Sequence, residues 1–402
     1  MRSTRVLIVE PEATGHHMAL YARLVVAAAA RRGWQPHVLT TERAARHPSF
    51  RLVEAAAAGS LQTHFMPPVA ESSRTDTLSL LARQYAYFRS MQAGISAITP
   101  AERPDRVYVA NLDYCDKVMS VLGSPFGALP VSGLMMSIRF HQHEMGTGPR
   151  SRNDRLYALL FRRLLRLRSI YGIAAIDEPF FEYASRKGLD RQGKLAFVPD
   201  PGELSGSASQ AEARKALGIG VDRFVLLVYG NLSTRKGIRE LLRAVAVGQL
   251  TEVTVLLAGV PDPSVRDLLQ EPESLRMAAA GQLVVHPGFC DQEKEYLAFR
   301  AADTVWVAYV GGFSGSSGVL YQACSIGAPV IGPRSGLLWW LIQKHGTGLC
   351  CDPADPADAA TAIRALADQP GLRATMAANG LRLAHDHTGE RFGEAVCDLI
   401  AR

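Results

Sequence analysis

Short apolar runs recur along this chain with helix-length amphipathic stretches between them, and that alternation constrains the fold more than any other feature. In the first half the runs are residues 5–9, 36–40, 105–110, 129–135, 170–176 and 196–198. The stretch after the first run, residues 18–32, carries Leu20, Leu24 and Ala27 on one helical face, and Gly33 then offers a C-cap. Strand, helix and strand repeated in this way predict a parallel sheet with helices on both faces, because parallel neighbours need a crossover that returns over the sheet. The pattern stops at Pro199-Asp200-Pro201-Gly202 and Ser205-Gly206-Ser207, a cluster without periodicity. It restarts with residues 224–228, 254–258, 283–286, 304–307 and 329–331. The expected architecture is α/β: two doubly wound parallel-sheet domains facing across a cleft, with ligands at the carboxyl ends of the strands.

Composition narrows the function. A chain of 402 residues exceeds one hydrophobic core, and 48% hydrophobic with 20% charged residues is ordinary for a globular protein. No apolar run approaches the ~20 residues of a membrane-spanning helix. The start, Met1-Arg2-Ser3-Thr4-Arg5, leads into only four apolar residues before Glu10, unlike a signal peptide, so a cytoplasmic location is expected. Cysteines 115, 290, 324, 350, 351 and 397 show no metal-ligand spacing, so reduced thiols and no metal are expected, with Cys350-Cys351 as strand packing. A net charge of +6 favours anionic partners. Without a nucleic-acid motif or basic–aromatic interleaving, nucleic acid is not among those expected.

Two segments carry chemistry. Tyr229-Gly230-Asn231-Leu232-Ser233-Thr234-Arg235-Lys236-Gly237 follows an apolar strand and precedes a helix over 238–247. Glycine allows close backbone approach, the helix N-terminus presents N–H groups, and Arg235 with Lys236 add positive charge, which suits a phosphate; a solvated loop with two surface cations would read the same locally. The second segment, Tyr309-Val310-Gly311-Gly312-Phe313-Ser314-Gly315-Ser316-Ser317-Gly318, also enters a helix and has the makings of an anion nest, the alternative being a flexible Gly/Ser loop.

Together these segments resemble the C-terminal nucleotide-binding domain of GT-B glycosyltransferases, in the large retaining family four (glycosyl transferases group 1), over most of residues 200–385. The resemblance implies two Rossmann-like domains: an acceptor-binding domain over 1–198, a linker and hinge over 199–210, a nucleotide-sugar-binding domain over 211–387, and a final helix over 388–402 that packs back on the first domain. Gly230, Lys236 and Gly237 match the residues that grip the donor diphosphate, while Asn231 stands where the family has arginine and Arg235 is its neighbouring substitute. Ala323, Gly327, Pro329, Val330 and Ile331 match the stretch after the two motif glutamates, whose own places hold Ser314 and Gln322. An amide oxygen at Gln322 can accept from ribose hydroxyls, but Ser314 supplies no charge beside the transferred sugar. Gly315, Ser316, Ser317 and Gly318 correspond to the diphosphate cradle. Phe289 falls where the family packs the nucleobase, with core packing as its alternative.

In the first half, Gly15-His16-His17 occupies the loop after the first strand, where the fold turns a glycine loop toward the ligand. An imidazole of His16 there bonds the diphosphate or an acceptor hydroxyl, and His17 the acceptor; capping of the following helix is the alternative. Arg139, His141, His143 and Glu144 follow another strand, with His141 as the expected cleft histidine and the others, with Asp113, as acceptor contacts. Residues 150–168 hold Arg150, Arg152, Arg155, Arg162, Arg163, Arg166 and Arg168 among leucines. Two readings stand: a helix lying on an acidic membrane, and an ordinary domain helix with a solvated arginine face.

The implied reaction moves a sugar from a nucleotide diphosphate sugar to an acceptor hydroxyl or amine, with retention. The acceptor is a small molecule, a glycan or a lipid-linked molecule, and the donor is a co-substrate, so no cofactor is expected. Lys236, Arg235 and the N–H groups of residues 316–318 stabilise the departing diphosphate in the place of a metal. A non-catalytic partner subunit and a nucleotide-sugar epimerase are the alternatives, since Asn231, Ser314 and Gln322 all depart from the family pattern.

Overall fold

The computed structural model describes residues 3–13, 17–70, 76–313 and 315–402. The chain divides into two compact units: Met1–Met145 with Pro149–Pro199 and Gly389–Arg402, and Gly146–Gly148 with Asp200–Thr388.

The first unit holds seven parallel strands: β1 (Arg5–Val9), β2 (Gln35–Thr40), β3 (Gln62–Phe65), β4 (Arg106–Val109), β5 (Val131–Met135), β6 (Ile170–Ala175) and β7 (Leu195–Phe197), in the order β3-β2-β1-β4-β5-β6-β7. Because helices cover both faces, alternate residues of one strand enter different cores. Leu7 and Val9 pack on one side of the sheet and Val6 and Ile8 on the other. β3 escapes the periodicity because it is an edge strand, Gln-Thr-His-Phe, with one face turned to solvent. The first crossover opens as a wide turn, His17–Ala22, before tightening into the helix Arg23–Arg31. The helix Gly389–Ala401 belongs to this unit. It buries Phe392, Val396 and Leu399, and Arg32 pairs with its Glu394 (2.5 Å) and Asp398 (2.6 Å).

The second unit repeats the plan with β8 (Phe224–Leu232), β9 (Val253–Pro261), β10 (Leu283–Pro287), β11 (Thr304–Trp306), β12 (Val330–Pro333) and β13 (Gly348–Cys351), in the order β10-β9-β8-β11-β12-β13. Leu226 and Val228 face one core, Val225 and Leu227 the other. Residues 200–208, read from sequence as part of a linker, are hydrogen-bonded into this unit. Gly202 N–H donates to the His387 carbonyl (3.0 Å), and the Tyr296 hydroxyl donates to the Ala208 carbonyl (3.1 Å). Among the described residues no helix is long and apolar enough to cross a membrane.

A buried histidine with a half-buried partner predicts acid sensitivity in the first unit. His37 on β2 is 1% exposed and stacks on His64 of β3, with 3.0 Å between Nδ1 and Nε2. Burial, then the nearby His64 and Arg5, push the His37 pKa down to about 4. The neutral ring therefore contributes its full stability above the ordinary pKa of 6.5 and loses it as pH falls toward 4. The expected cost is about 2 kcal/mol between pH 6.5 and 4.5. Thermal melts at those two pH values check it. The drop shrinks in His37→Gln; an equal drop in both proteins would assign the acid sensitivity to other groups.

Candidate functional site

In each sheet the strand order reverses once, between β1 and β4 and between β8 and β11. There the crossovers leave toward opposite faces and open a crevice at the carboxyl ends of the strands. Chemistry-bearing side chains gather at both places.

In the second unit, β8 and β9 pair to their ends with Gly230 opposite Gly259. Gly259 has φ +138°, and a Cβ there would lie 1.8 Å from the Gly230 carbonyl oxygen, so only glycine lets the strand ends close. Beyond β8 the chain makes one tight turn, Thr234–Lys236, and Gly237 at φ +67° launches the helix Ile238–Val247. Trp306 Nε1 donates to the Lys236 carbonyl (3.0 Å) and Val310 N–H to the Arg235 carbonyl (2.9 Å), tying the turn to the end of β11.

That anchoring turns the Lys236 side chain inward. Lys236 is 5% exposed; its Nζ donates to the Tyr309 hydroxyl (2.9 Å), which is 3.0 Å from Ser317 Oγ. No carboxylate among the described residues pairs with this ammonium, and a buried cation without an anion is costly. Arg235 is exposed, with its guanidinium over the rings of Tyr309 (5.0 Å) and Phe313 (4.7 Å). The helix Gly318–Ser325 starts beside the hydroxyl pair with no side-chain cap, which leaves its first N–H groups for another acceptor. Ser316 Oγ donates to Asp200 Oδ2 (2.9 Å), and Gly315 is half-buried. Ser314 lies outside the described residues.

Gln322, 8% exposed, donates Nε2 to Glu295 Oε1 at 2.7 Å. Its Oε1 is buried without a donor. Burial raises the Glu295 pKa, against the hydrogen bonds of Tyr229 and Gln322. Asn231 is exposed within β8. Phe289, just past β10, is 81% exposed, so its core-packing alternative falls.

In the first unit Gly15 and His16 lie outside the described residues. Glu10, the residue after β1, is fully buried. Its Oε1 accepts from the Glu12 N–H (3.0 Å) and the Tyr114 hydroxyl (3.2 Å), and its Oε2 lies 3.6 Å from His17 Nδ1. Burial opposes protonation of His17, but Glu10, with Asp113 and Glu12 behind it, outweighs burial and raises its pKa. Asp113 accepts from the Met136 N–H (3.0 Å), and burial, then Asp116, push its pKa up to about 6.

His141 is fully buried among Phe140, Phe180 and Tyr183, with Nε2 3.2 Å from Asp177 Oδ2, the N-cap of the helix Glu178–Lys187, and neither ring nitrogen has a hydrogen-bond partner among the described residues. Arg139, His143 and Glu144 are exposed around it, and Glu144 pairs with Lys187 at 2.7 Å.

Sequence reasoning named Tyr309 only as the start of its segment, without a role, and passed over Glu295 and Glu10 as site residues. Only Glu10 carried a signal, a carboxylate directly at the end of a buried strand. Among the described residues no group of three or more His, Cys, Asp or Glu is placed to hold a metal ion.

Residues 209–382 match the family described as "Glycosyl transferases group 1". A D-inositol 3-phosphate glycosyltransferase of Thermomonospora curvata is 32% identical over 212 residues, 49% of this chain and 48% of that protein. The chain spans about half the length of the curated relatives it matches. Among solved structures, a sucrose-phosphate synthase from Thermosynechococcus elongatus aligns with a TM-score of 0.70 at 17% identity, over 98% of each chain. Anabaena Alr3699/HepE, solved in complex with UDP and glucose, aligns with a TM-score of 0.66 at 15% identity, over 99% of each. Residues 209–382 are thus similar to the glycosyl transferases group 1 family, and the chain has the GT-B fold of these solved structures, two parallel-sheet α/β units.

Proposed function

We propose that this protein transfers a sugar from a nucleoside diphosphate donor to an acceptor hydroxyl or amine, with retention and without a metal. The observation that carries this reading is Lys236, a buried ammonium that donates to the Tyr309 hydroxyl and pairs with no carboxylate among the described residues, beside an uncapped helix start. An anionic diphosphate supplies the missing countercharge. As the bond between the sugar and the phosphate oxygen breaks, negative charge grows on the leaving phosphate, and Lys236, Arg235 and the N–H groups of residues 316–318 stabilise it. The acceptor oxygen or nitrogen attacks from the face the phosphate leaves, and its proton passes to that phosphate. Gln322 Oε1 and Glu295 offer acceptors only, which suits the ribose hydroxyls of the donor. UDP is the first nucleotide to test, because a protein of this fold has been solved with it. His17, with the exposed Arg139, His143 and Glu144, is the first unit's candidate contact with a small-molecule, glycan or lipid-linked acceptor.

Thermal unfolding with UDP, GDP, dTDP and ADP, in the presence of a chelator, tests the donor site. One nucleotide at a hundred times its Kd stabilises the protein by about 2.7 kcal/mol. No response to any of the four would remove the donor reading, and a response that needs divalent metal would correct its metal independence. The anomeric configuration of the product, read by NMR, decides retention.

A further inference from the structure

The arginine-rich segment after β5 is absorbed by none of this chemistry, and its placement is unusual. The helix Asp154–Leu165 is held to the first unit by Phe161, Leu164 and Leu165, which are buried. At about 100° per residue, Arg155, Leu156, Leu159, Arg162, Arg163 and Arg166 fall within one arc of about 120° on the opposite side. All six are exposed, Leu156 by 49% and Leu159 by 58%. The helix has one acid, Asp154, on the core side of the arc, where it accepts from the Ser151 N–H. None of the four guanidiniums pairs with a carboxylate among the described residues. The chain as a whole is nearly balanced, with 44 Lys and Arg against 38 Asp and Glu, so an outward face of arginine and leucine alone departs from its own average.

Two exposed leucines lie at the centre and rim of this arginine face. They do not stand alone. Lys117 lies 4.9 Å from the centre of the Tyr157 ring, joining this helix to Asp116–Leu122, whose Val121 and Leu122 are exposed too. Leucine flanked by unpaired arginine matches one surface in particular, the headgroup region of an anionic bilayer, where apolar side chains enter the interface and guanidiniums meet lipid phosphates. A soluble polyanion answers the charge and leaves the leucines in water.

We infer that the outward face of the helix Asp154–Leu165 is a docking surface for an anionic membrane, seating the first unit in the headgroup plane. This does not depend on the donor reading. Cosedimentation of the full chain with phosphatidylcholine vesicles, with and without phosphatidylglycerol, tests it. Binding is expected only to the anionic vesicles and weakens as salt is added. Arg162→Gln/Arg163→Gln/Arg166→Gln weakens it roughly a hundredfold, and Leu156→Ser/Leu159→Ser about tenfold. Both variants keep the nucleotide response of the wild type, so failure here and failure of the donor site are separable. Absence of binding to anionic vesicles overturns the inference. So does binding that survives the leucine changes and is matched by heparin, which would assign the arc to bare charge.

Discussion

Lys236→Ala melts no lower than the wild type without ligand, yet loses nearly all of its stabilisation by a nucleoside diphosphate. The two halves of that result have one cause. The buried ammonium donates to the Tyr309 hydroxyl and to no carboxylate among the described residues, so it weighs on the empty protein and is compensated when an anion arrives. If the change raises Kd a hundredfold, a ligand concentration that stabilised the wild type by about 2.7 kcal/mol stabilises the variant by about 0.4 kcal/mol. Loss of a charge that acts on the departing phosphate lowers kcat by about 10²–10³-fold, the range seen when one preorganised donor is removed. Melts with and without nucleotide separate the effects. A variant that melts lower and binds as before would make Lys236 a packing residue and sink its assignment to the phosphate.

Gly259→Ala is the most damaging single methyl this fold can receive near the site. The added carbon would sit 1.8 Å from the Gly230 carbonyl, so β8 and β9 must part where they deliver the Lys236 turn. The cost expected is about 3 kcal/mol, near 10 °C in the melting of a unit this size, and nucleotide binding falls with it. Calorimetry of the variant should show the second unit's transition moved and the first unit's in place. A wild-type trace would mean that the strand ends accommodate the methyl.

The first fold features to be legible were those with one cause. Residues 6–9 and 225–228 are apolar without a break because both sheet faces are covered, and the helix Ile238–Val247 follows from an apolar stripe between two glycines. β3 was not legible, since an edge strand of Gln, Thr and His alternates too weakly to be told from a loop. β13, Gly-Leu-Cys-Cys, is short and lacks β-branched residues, and only its Cys350-Cys351 end reads as strand. At the site, Lys236 could be located because a loop between strand and helix has a local signature. Tyr309 could not, because a tyrosine closing an apolar run reads as core, and here it is both buried and the partner of Lys236. Glu295 lies 27 positions from the Gln322 it bonds, a distance at which sequence has no register. The surroundings of His141 were not legible either: a histidine in a polar stretch reads as exposed, and only packing discloses the aromatic rings around it.

The helix Gly389–Ala401 gives the first unit a seam. Its strands come from residues before Pro199, but a wall of its core, Phe392, Val396 and Leu399, is encoded after the whole second unit. On the ribosome the chain emerges from its N-terminus, so every residue of the second unit is synthesised before the first is complete. Until Gly389–Arg402 has been synthesised, the helix Arg23–Arg31 keeps an apolar flank uncovered, and the first unit to be translated is the last to close.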